Sequence, residues 1–343
     1  MIQSDSSDPA PAPKRECWVV TDGRAGIENQ ALGLAEAIAR RLPLHLTVKR
    51  IVLKAPWRSL PRQVWGEPFS KLSSEGALLR PPYPDLWIAC GRASVPFTMA
   101  VKDRSPSTFT VQLQNPRAPL AAFDLVVPPT HDGLAGANVF PIVGSPGRAT
   151  REKMQADAAL LAPSLAHLPS PRVGVLIGGP NKVYRFSKSR RAKIAMTLRE
   201  LADNGAGLMI TPSRRTEPET LRAIAEALEG RPHFLWDGAP LGGLDNPYFG
   251  ILGLAEHILV TADSVNMTTE AALTGRPVQM LALDTANAVG AEKFARFRKD
   301  LRKRRVARFF TDRLRRWSYE PLDETARAAE EVVRRLNAQR DAQ

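Results

Sequence analysis

Short apolar runs alternate along this chain with longer stretches of helical period. CWVVTD (17–22) is apolar and ends in a turn. NQALGLAEAIARRL (29–42) follows, with Leu32, Ala35, Glu36, Ala39 and Leu42 recurring at threes and fours. LHLTVKRIVL (44–53), PDLWIACG (84–91), STFTVQLQ (107–114) and FDLVVPP (123–129) read as further strands, with a helix through RASVPFTMAVKDR after the third strand. The second half repeats the rhythm. PRVGVLIGG (171–179) is a strand, and SRRAKIAMTLRELADNG (189–205) is a helix closed by Gly205. GLMITP (207–212), TEPETLRAIAEALEG (216–230), HFLWDG (233–238), GILGLAEHIL (250–259) and ILVTAD (258–263) continue it, and PVQMLAL (277–283) is the last strand. This β–α rhythm predicts an α/β protein of two Rossmann-like, doubly wound domains facing a cleft.

Boundaries follow from composition. Residues 1–15 are polar and Pro-rich and read as a disordered tail. The N-terminal domain is expected over 16–165 and the C-terminal domain over 171–290, with the Pro-rich 162–172 as a linker. Residues 291–343 read as basic C-terminal helices packing back across the cleft. The chain has 343 residues, 43% of them hydrophobic and 24% charged, as expected of a soluble globular protein of two domains. No apolar run is long enough to span a bilayer, and the N-terminus has no apolar signal core. The expected location is the cytoplasm, peripheral to the inner face of a membrane. Cys17 and Cys90 read as buried free thiols, because two cysteines make neither a disulfide framework nor a zinc site.

In open α/β sheets ligands sit beyond the carboxyl ends of the strands, so the strand-to-helix loops carry the candidate chemistry. In the first domain these are TDGRAGIENQ, GRASVP, QNPR and PPTHDG. Gly23 and Gly26 let backbone amides approach a ligand; the loop is neither a Walker A sequence nor a dinucleotide fingerprint. His131 and Asp132 are adjacent polar groups at a strand end. In the second domain, Gly178, Gly179, Asn181 and Lys182 suit a phosphate against the backbone. Ser213, Arg214 and Arg215 stand at a helix start, where guanidiniums and amides hold a diphosphate together. In TADSVNMTTEAALTGRP (261–277), Ser264 or Asp263 caps the helix, and Glu270 lies about two turns in. A carboxylate there accepts hydrogen bonds from a ribose diol near that phosphate.

The spacing from Glu270 to Gly275-x-Pro277 resembles the donor-nucleotide motif of glycosyltransferases of the B fold. The best match among these is the group that adds N-acetylglucosamine to a lipid-linked peptidoglycan precursor. That resemblance implies that Glu270 binds the ribose of a UDP-sugar. It also implies that Gly178, Gly179, Asn181, Lys182, Ser213, Arg214, Arg215, Ser264, Asn266, Met267 and Thr268 line the donor site. Gly23, Arg24, Gly26, Asn29, Gln30, Gly91, Arg92, Gln114, Asn115 and Arg117 fall on the acceptor side. The glycosyltransferase loop carries a histidine that TDGRAG lacks, so Asp22 is the candidate base, with His131 or Asp132 as alternatives. No Asp-x-Asp pair occurs, so neither metal nor cofactor is expected.

As a whole the chain resembles the mitochondrial fission Elm family. TDGRAGIENQALGLAEA, PDLWIACGR, VQLQNPR, FDLVVPPTHD, IGGPNKVYRF, TPSRRT, NPYFGIL and VTADSVNMTTEA occur in that family's order, over about 16–285. Plant members act in mitochondrial fission by recruiting a dynamin-related protein. The tail lacks an Arg-rich, acid-poor transit segment, as expected of a bacterial or cytosolic member. The resemblance therefore implies either sugar transfer to a lipid-linked acceptor or a non-catalytic membrane adaptor with a protein partner.

The net charge of +13 is concentrated: residues 292–316 hold twelve Lys/Arg against three Asp/Glu. Phe294, Phe297, Leu301, Val306, Phe309, Phe310 and Leu314 are interleaved among them. On one helix this pattern suits an anionic membrane surface, at about 1 kcal/mol per basic residue. No nucleic-acid recognition module is visible, so nucleic acid is not the expected partner.

Overall fold

The computed structural model describes residues 14–76 and 78–341; the predicted tail over 1–15 falls almost wholly outside them. The chain divides into two compact units. Unit 1 comprises residues up to 128, 135–140 and 325 onward; unit 2 comprises 129–134 and 141–324.

Unit 1 is built on β1 (Arg15–Thr21), α1 (Ala25–Ala39), β2 (Leu44–Arg50), β3 (Leu86–Cys90), α2 (Val95–Arg104), β4 (Phe109–Leu113) and β5 (Leu125–Val127). The strands form a parallel sheet in the order β2-β1-β3-β4-β5. Strands β1, β3, β4 and β5 are buried on both faces, which is why they read as apolar runs, whereas the edge strand β2 is only partly buried. Trp18, Val20, Trp87 and Ala89 pack with Phe97 and Val101 of α2. The alternate residues Cys17, Val19, Ile88 and Cys90 are equally buried, and both cysteines are free thiols.

Unit 2 contains α3 (Arg151–Leu161), β6 (Arg172–Ile177), β7 (Tyr184–Arg185), α4 (Lys188–Asp203), β8 (Gly207–Pro212), α5 (Pro218–Leu228), β9 (His233–Leu235), α6 (Tyr248–Leu254), β10 (His257–Thr261), α7 (Val265–Ala272), β11 (Val278–Leu281), β12 (Asp284–Thr285), α8 (Ala288–Lys303) and β13 (Ala307–Phe309). The main sheet is parallel in the order β13-β11-β10-β6-β8-β9, and β7 pairs antiparallel with β12. Alternate strand residues again enter two cores. Leu176, Ile258, Val260 and Met280 face one cluster; Val175, Ile177, Leu259 and Leu281 face the other, with α4.

Three expectations are corrected. Residues 162–172 are not a free linker: Leu165 and Leu168 are buried in the unit 2 core with Leu161 of α3. Helix α1 begins at Ala25, four residues before the apolar period starts, and stops at Ala39. The basic stretch is not one helix. Helix α8 ends after Lys303 in a run of cations, which suits the negative end of the helix dipole. Arg305 then turns left-handed at φ 59°, and Ala307–Phe309 pair with the sheet edge at β11. Phe297, Leu301 and Val306 enter one core, and Phe294, Phe310 and Leu314 pack against the other. Phe309 alone of the predicted apolar face is largely exposed, at 45%. No described helix is long and apolar enough to cross a membrane.

The chain ends in α9 (Glu324–Asp341), whose residues from 325 on group with unit 1. There Ala328, Ala329 and Val332 are fully buried. Arg41 pairs with Glu330 at 2.9 Å, Arg335 donates to the Ala137 carbonyl at 3.1 Å, and Gln339 donates to the Pro106 carbonyl at 3.3 Å.

Candidate functional site

In unit 2 the chain lays down β6, β8 and β9 in one direction and then returns to β10 on the far side of β6. Strand order therefore reverses between β6 and β10, the position where doubly wound sheets bind ligands. The loops leaving those strands are GGPNK (178–182) and TADS (261–264), and SRRT (213–216) leaves β8 beside them.

Asp263 ties the three loops together. Its side chain is fully buried. Oδ1 accepts from the Thr261 hydroxyl at 2.7 Å; Oδ2 accepts from the Gly179 amide at 3.1 Å and from Arg215 Nη2 at 2.9 Å. Burial pushes this carboxyl up, and these bonds oppose the shift. Arg215 also donates to the carbonyls of Gly179 and Pro180, at 2.9 and 3.2 Å. The two glycines have a packing reason to be glycines. A Cβ on Gly178 would lie 2.2 Å from Asp263 Oδ1, and one on Gly179 would lie 1.9 Å from the Arg215 carbonyl oxygen. Gly178, Gly179 and Arg215 thus form the frame of the rim.

Asn181 and Ser213 shape the loops. Asn181 Oδ1 accepts from the amides of Val183 and Tyr184 at 2.7 and 2.8 Å, and its Nδ2 donates to the Asp263 carbonyl at 3.2 Å. Ser213 Oγ accepts from the Arg215 amide at 3.2 Å. Lys182 and Arg214 differ from them. Both are exposed, and neither makes a hydrogen bond or ion pair with another described residue.

Helix α7 starts with Ser264, whose Oγ caps the Met267 amide at 3.2 Å. The Thr268 hydroxyl is buried and donates to the Ser264 carbonyl at 2.7 Å, and Met267 packs in the core. Asn266 Oδ1 accepts from Ser145 Oγ at 2.8 Å. The half-buried Glu270 accepts on Oε2 from the Tyr248 hydroxyl of α6 at 2.7 Å. A Cβ on Gly147 would stand 3.3 Å from its Oε1, so the chain at 147 passes directly over the carboxyl. Desolvation raises the Glu270 pKa to about 7, against the opposing Tyr248 bond. Tyr248, Ser145 and Gly147 were not among the candidates read from sequence. Nothing local in the sequence ties Tyr248 or residues 145–147 to Glu270.

In unit 1 the strand order reverses between β1 and β3. A cavity of about 790 Å³ opens there, lined by Asp22 and Arg24 after β1, by residues 51–53 after β2, by 58–63 and Trp65, and by Arg92 and Ala93 after β3. Asp22 is paired with Arg24 at 2.6 Å. Gly23 adopts φ 75° and Gly91 φ 91°, conformations that favour glycine. Gly26 lies in the first turn of α1, and Asn29 is exposed on that helix. Gln30 is buried, and its Oε1 accepts from Gln114 Nε2 at 3.0 Å. Asn115 Oδ1 accepts from the Arg117 amide at 2.9 Å.

His131 and Asp132 belong to unit 2, whereas Asp22 belongs to unit 1. His131 is buried edge-on to Phe297 of α8, with ring centroids 5.6 Å apart, and Asp132 pairs with Lys293 at 2.6 Å. Burial, reinforced by Lys293, lowers the His131 pKa to about 4. The pair anchors its turn to α8.

Residues 25–336 match the family model described as mitochondrial fission ELM1. The mitochondrial fission protein ELM1 of Arabidopsis thaliana is 32% identical over 283 residues, spanning 74% of this chain and 64% of that protein. Among solved structures, a Listeria monocytogenes protein described as a UDP-N-acetylglucosamine 2-epimerase superposes with a TM-score of 0.60. The match has 12% identity and covers 96% of this chain and 98% of that one. UDP-GlcNAc 2-epimerase from Neisseria meningitidis, solved bound to UDP-GlcNAc, superposes with a TM-score of 0.51. The identity is again 12%, covering 94% of this chain and 100% of that one. The shared fold is the glycosyltransferase B type.

Proposed function

The chain belongs to the mitochondrial fission ELM1 family, and we propose that unit 2 binds a nucleoside-diphosphate sugar, which the protein uses as the donor in sugar transfer. One observation carries the reading. Glu270, on the helix that follows β10, has one carboxyl oxygen bonded to Tyr248, while no other hydrogen bond to the carboxyl is made among the described residues. A ribose diol supplies two donors to such a group. Lys182 and Arg214, uncommitted cations on the same unit, then hold the diphosphate and offset charge on the leaving group. The UDP-GlcNAc carried by the Neisseria protein of the same fold supports this class of ligand.

Calorimetric titration with UDP and UDP-GlcNAc tests it. Glu270→Ala weakens both by about tenfold or more, as expected for loss of a charge-assisted hydrogen bond. Equal affinity for wild type and variant would sink the donor-site reading. Because diol donors favour the ionised carboxylate, affinity falls as pH drops below about 7, and binding at pH 7 releases protons.

Asp22 is the base we propose for transfer, without a metal. Loss of turnover in Asp22→Asn with UDP binding intact supports it; unchanged turnover removes it. One detail favours a second reading, a non-catalytic adaptor: the Asp22 carboxylate is already held by Arg24. Nucleotide binding without hydrolysis or transfer to any lipid extract gives that reading precedence. For either reading we propose peripheral attachment to an anionic membrane through the basic residues of 291–316. With most of the aromatics there packed inward, attachment is electrostatic, and co-flotation with anionic liposomes disappears in salt. Absence of co-flotation at low salt rejects it.

A further inference from the structure

The unit 1 cavity has a charge imbalance that nothing described within it cancels. Four arginines, Arg24, Arg58, Arg62 and Arg92, line it against one carboxylate, Asp22, which is already paired with Arg24. Arg62 donates to the carbonyls of Arg92 at 3.0 Å and Pro116 at 3.2 Å, bonds that fix the guanidinium without neutralising it. Burial, and then the nearby charges of Arg92 and Arg117, push its pKa below the usual guanidinium value. The side chains of Arg58 and Arg92 make no hydrogen bond or ion pair with another described residue.

Gln114 and Arg117 both adopt left-handed conformations, at φ 68° and 49°, in the loop that Arg62 grips at Pro116. Two such residues in one four-residue loop mark a shape that the surroundings impose. The bonds Gln114–Gln30 and Arg117–Asn115 help to impose it. The cavity wall also offers an apolar surface, from Ile51, Leu60, Pro61 and Trp65. Its volume is in the range of small-molecule sites, and planar guanidiniums match phosphate oxygens in pairs.

We infer that this cavity binds the diphosphate group of an organic diphosphate ester, with the arginines on the phosphates and the organic part against the apolar wall. The inference does not rest on the donor-site reading of unit 2.

The test is calorimetry at low salt on the full chain carrying Lys182→Ala and Arg214→Ala, which weakens anion binding at the other unit. Inorganic pyrophosphate and geranyl diphosphate are the probes. Both bind, geranyl diphosphate more tightly, and adding Arg58→Ala and Arg92→Ala weakens both by about tenfold or more. These arginines are exposed, so the melting temperature is unchanged. In an otherwise wild-type chain, Arg58→Ala/Arg92→Ala leaves the Glu270-dependent part of UDP binding as it was, which separates this result from the donor-site reading. Absence of binding for both probes, or equal binding with and without the two arginines, overturns the inference. Equal affinity for the two probes overturns its apolar half and leaves a site for free diphosphate. Binding of a soluble prenyl ester no tighter when presented in liposomes identifies a soluble ligand, and tighter binding identifies a lipid-borne one.

Discussion

At the switch point of unit 2, between β6 and β10, polar groups bond chiefly to one another; at that of unit 1, between β1 and β3, they line a cavity and leave arginines unmatched. Asp263, Arg215 and the Gly178-Gly179 backbone form one interlocked joint in unit 2. In unit 1 the equivalent loop has slack: a Cβ on Gly23 would meet only the flexible Arg50 side chain, at 3.5 Å. Two doubly wound parallel sheets of different strand order therefore carry two kinds of rim. One is rigid, with a few groups left to meet a ligand, and the other is open, with its charge uncompensated. A rigid rim suits fixed recognition of one chemical unit, and an open cationic one suits anions of variable shape.

Substitutions test this contrast, and the largest effect is expected at the joint. Gly179→Ala drives its methyl into the Arg215 carbonyl, a backbone atom that cannot swing aside, and should cost more than about 3 kcal/mol in urea unfolding. A cost below about 1 kcal/mol would mean that the loops part easily. Asp263→Ala removes acceptors from the Gly179 amide, Arg215 and Thr261. It should cost about 2–3 kcal/mol, less than a fully buried pair because Arg215 is 44% exposed. Glu270→Gln has the opposite sign. The folded-state pKa of Glu270 is raised to about 7 from 4.5, so the folded state holds the extra proton and stability falls as pH rises between those values. The variant, which keeps a partner for Tyr248, should gain on the order of 1–3 kcal/mol at pH 8 and little at pH 4. A gain independent of pH would remove burial as the cause. The smallest effect is Gly23→Ala, about 1 kcal/mol from its left-handed backbone alone.

The sheet strands were legible because both faces are buried, which leaves continuous apolar runs such as LWIAC and HILVT. Helix α3 was not: its sequence REKMQADAALL buries only one stripe, and its clearest signal is the Thr150 cap on the Lys153 amide. The loops after β6, β8 and β10 were also legible, through their glycines and cations. What each residue does there was not, because Asp263 meets Arg215 across 48 positions and Tyr248 meets Glu270 across 22. Residues 54–83 gave no periodic signal, so the arginines at 58 and 62 could not be linked to Arg92 before the fold brought the loops together. The basic stretch misled because interleaved aromatics fit a membrane-facing helix and an inward-packed helix-plus-strand equally well.

The C-terminal helix places a constraint on biosynthesis. The polypeptide begins one unit, completes the other, and only then supplies the segment from 325 onward that fills the first. Domains usually mature in the order in which the ribosome delivers them; here the earlier one must wait for the segment from 325 onward. A nascent chain arrested before Glu324 should leave its N-terminal portion sensitive to protease while unit 2 resists. A premature stop there would then damage the start of the protein more than its middle.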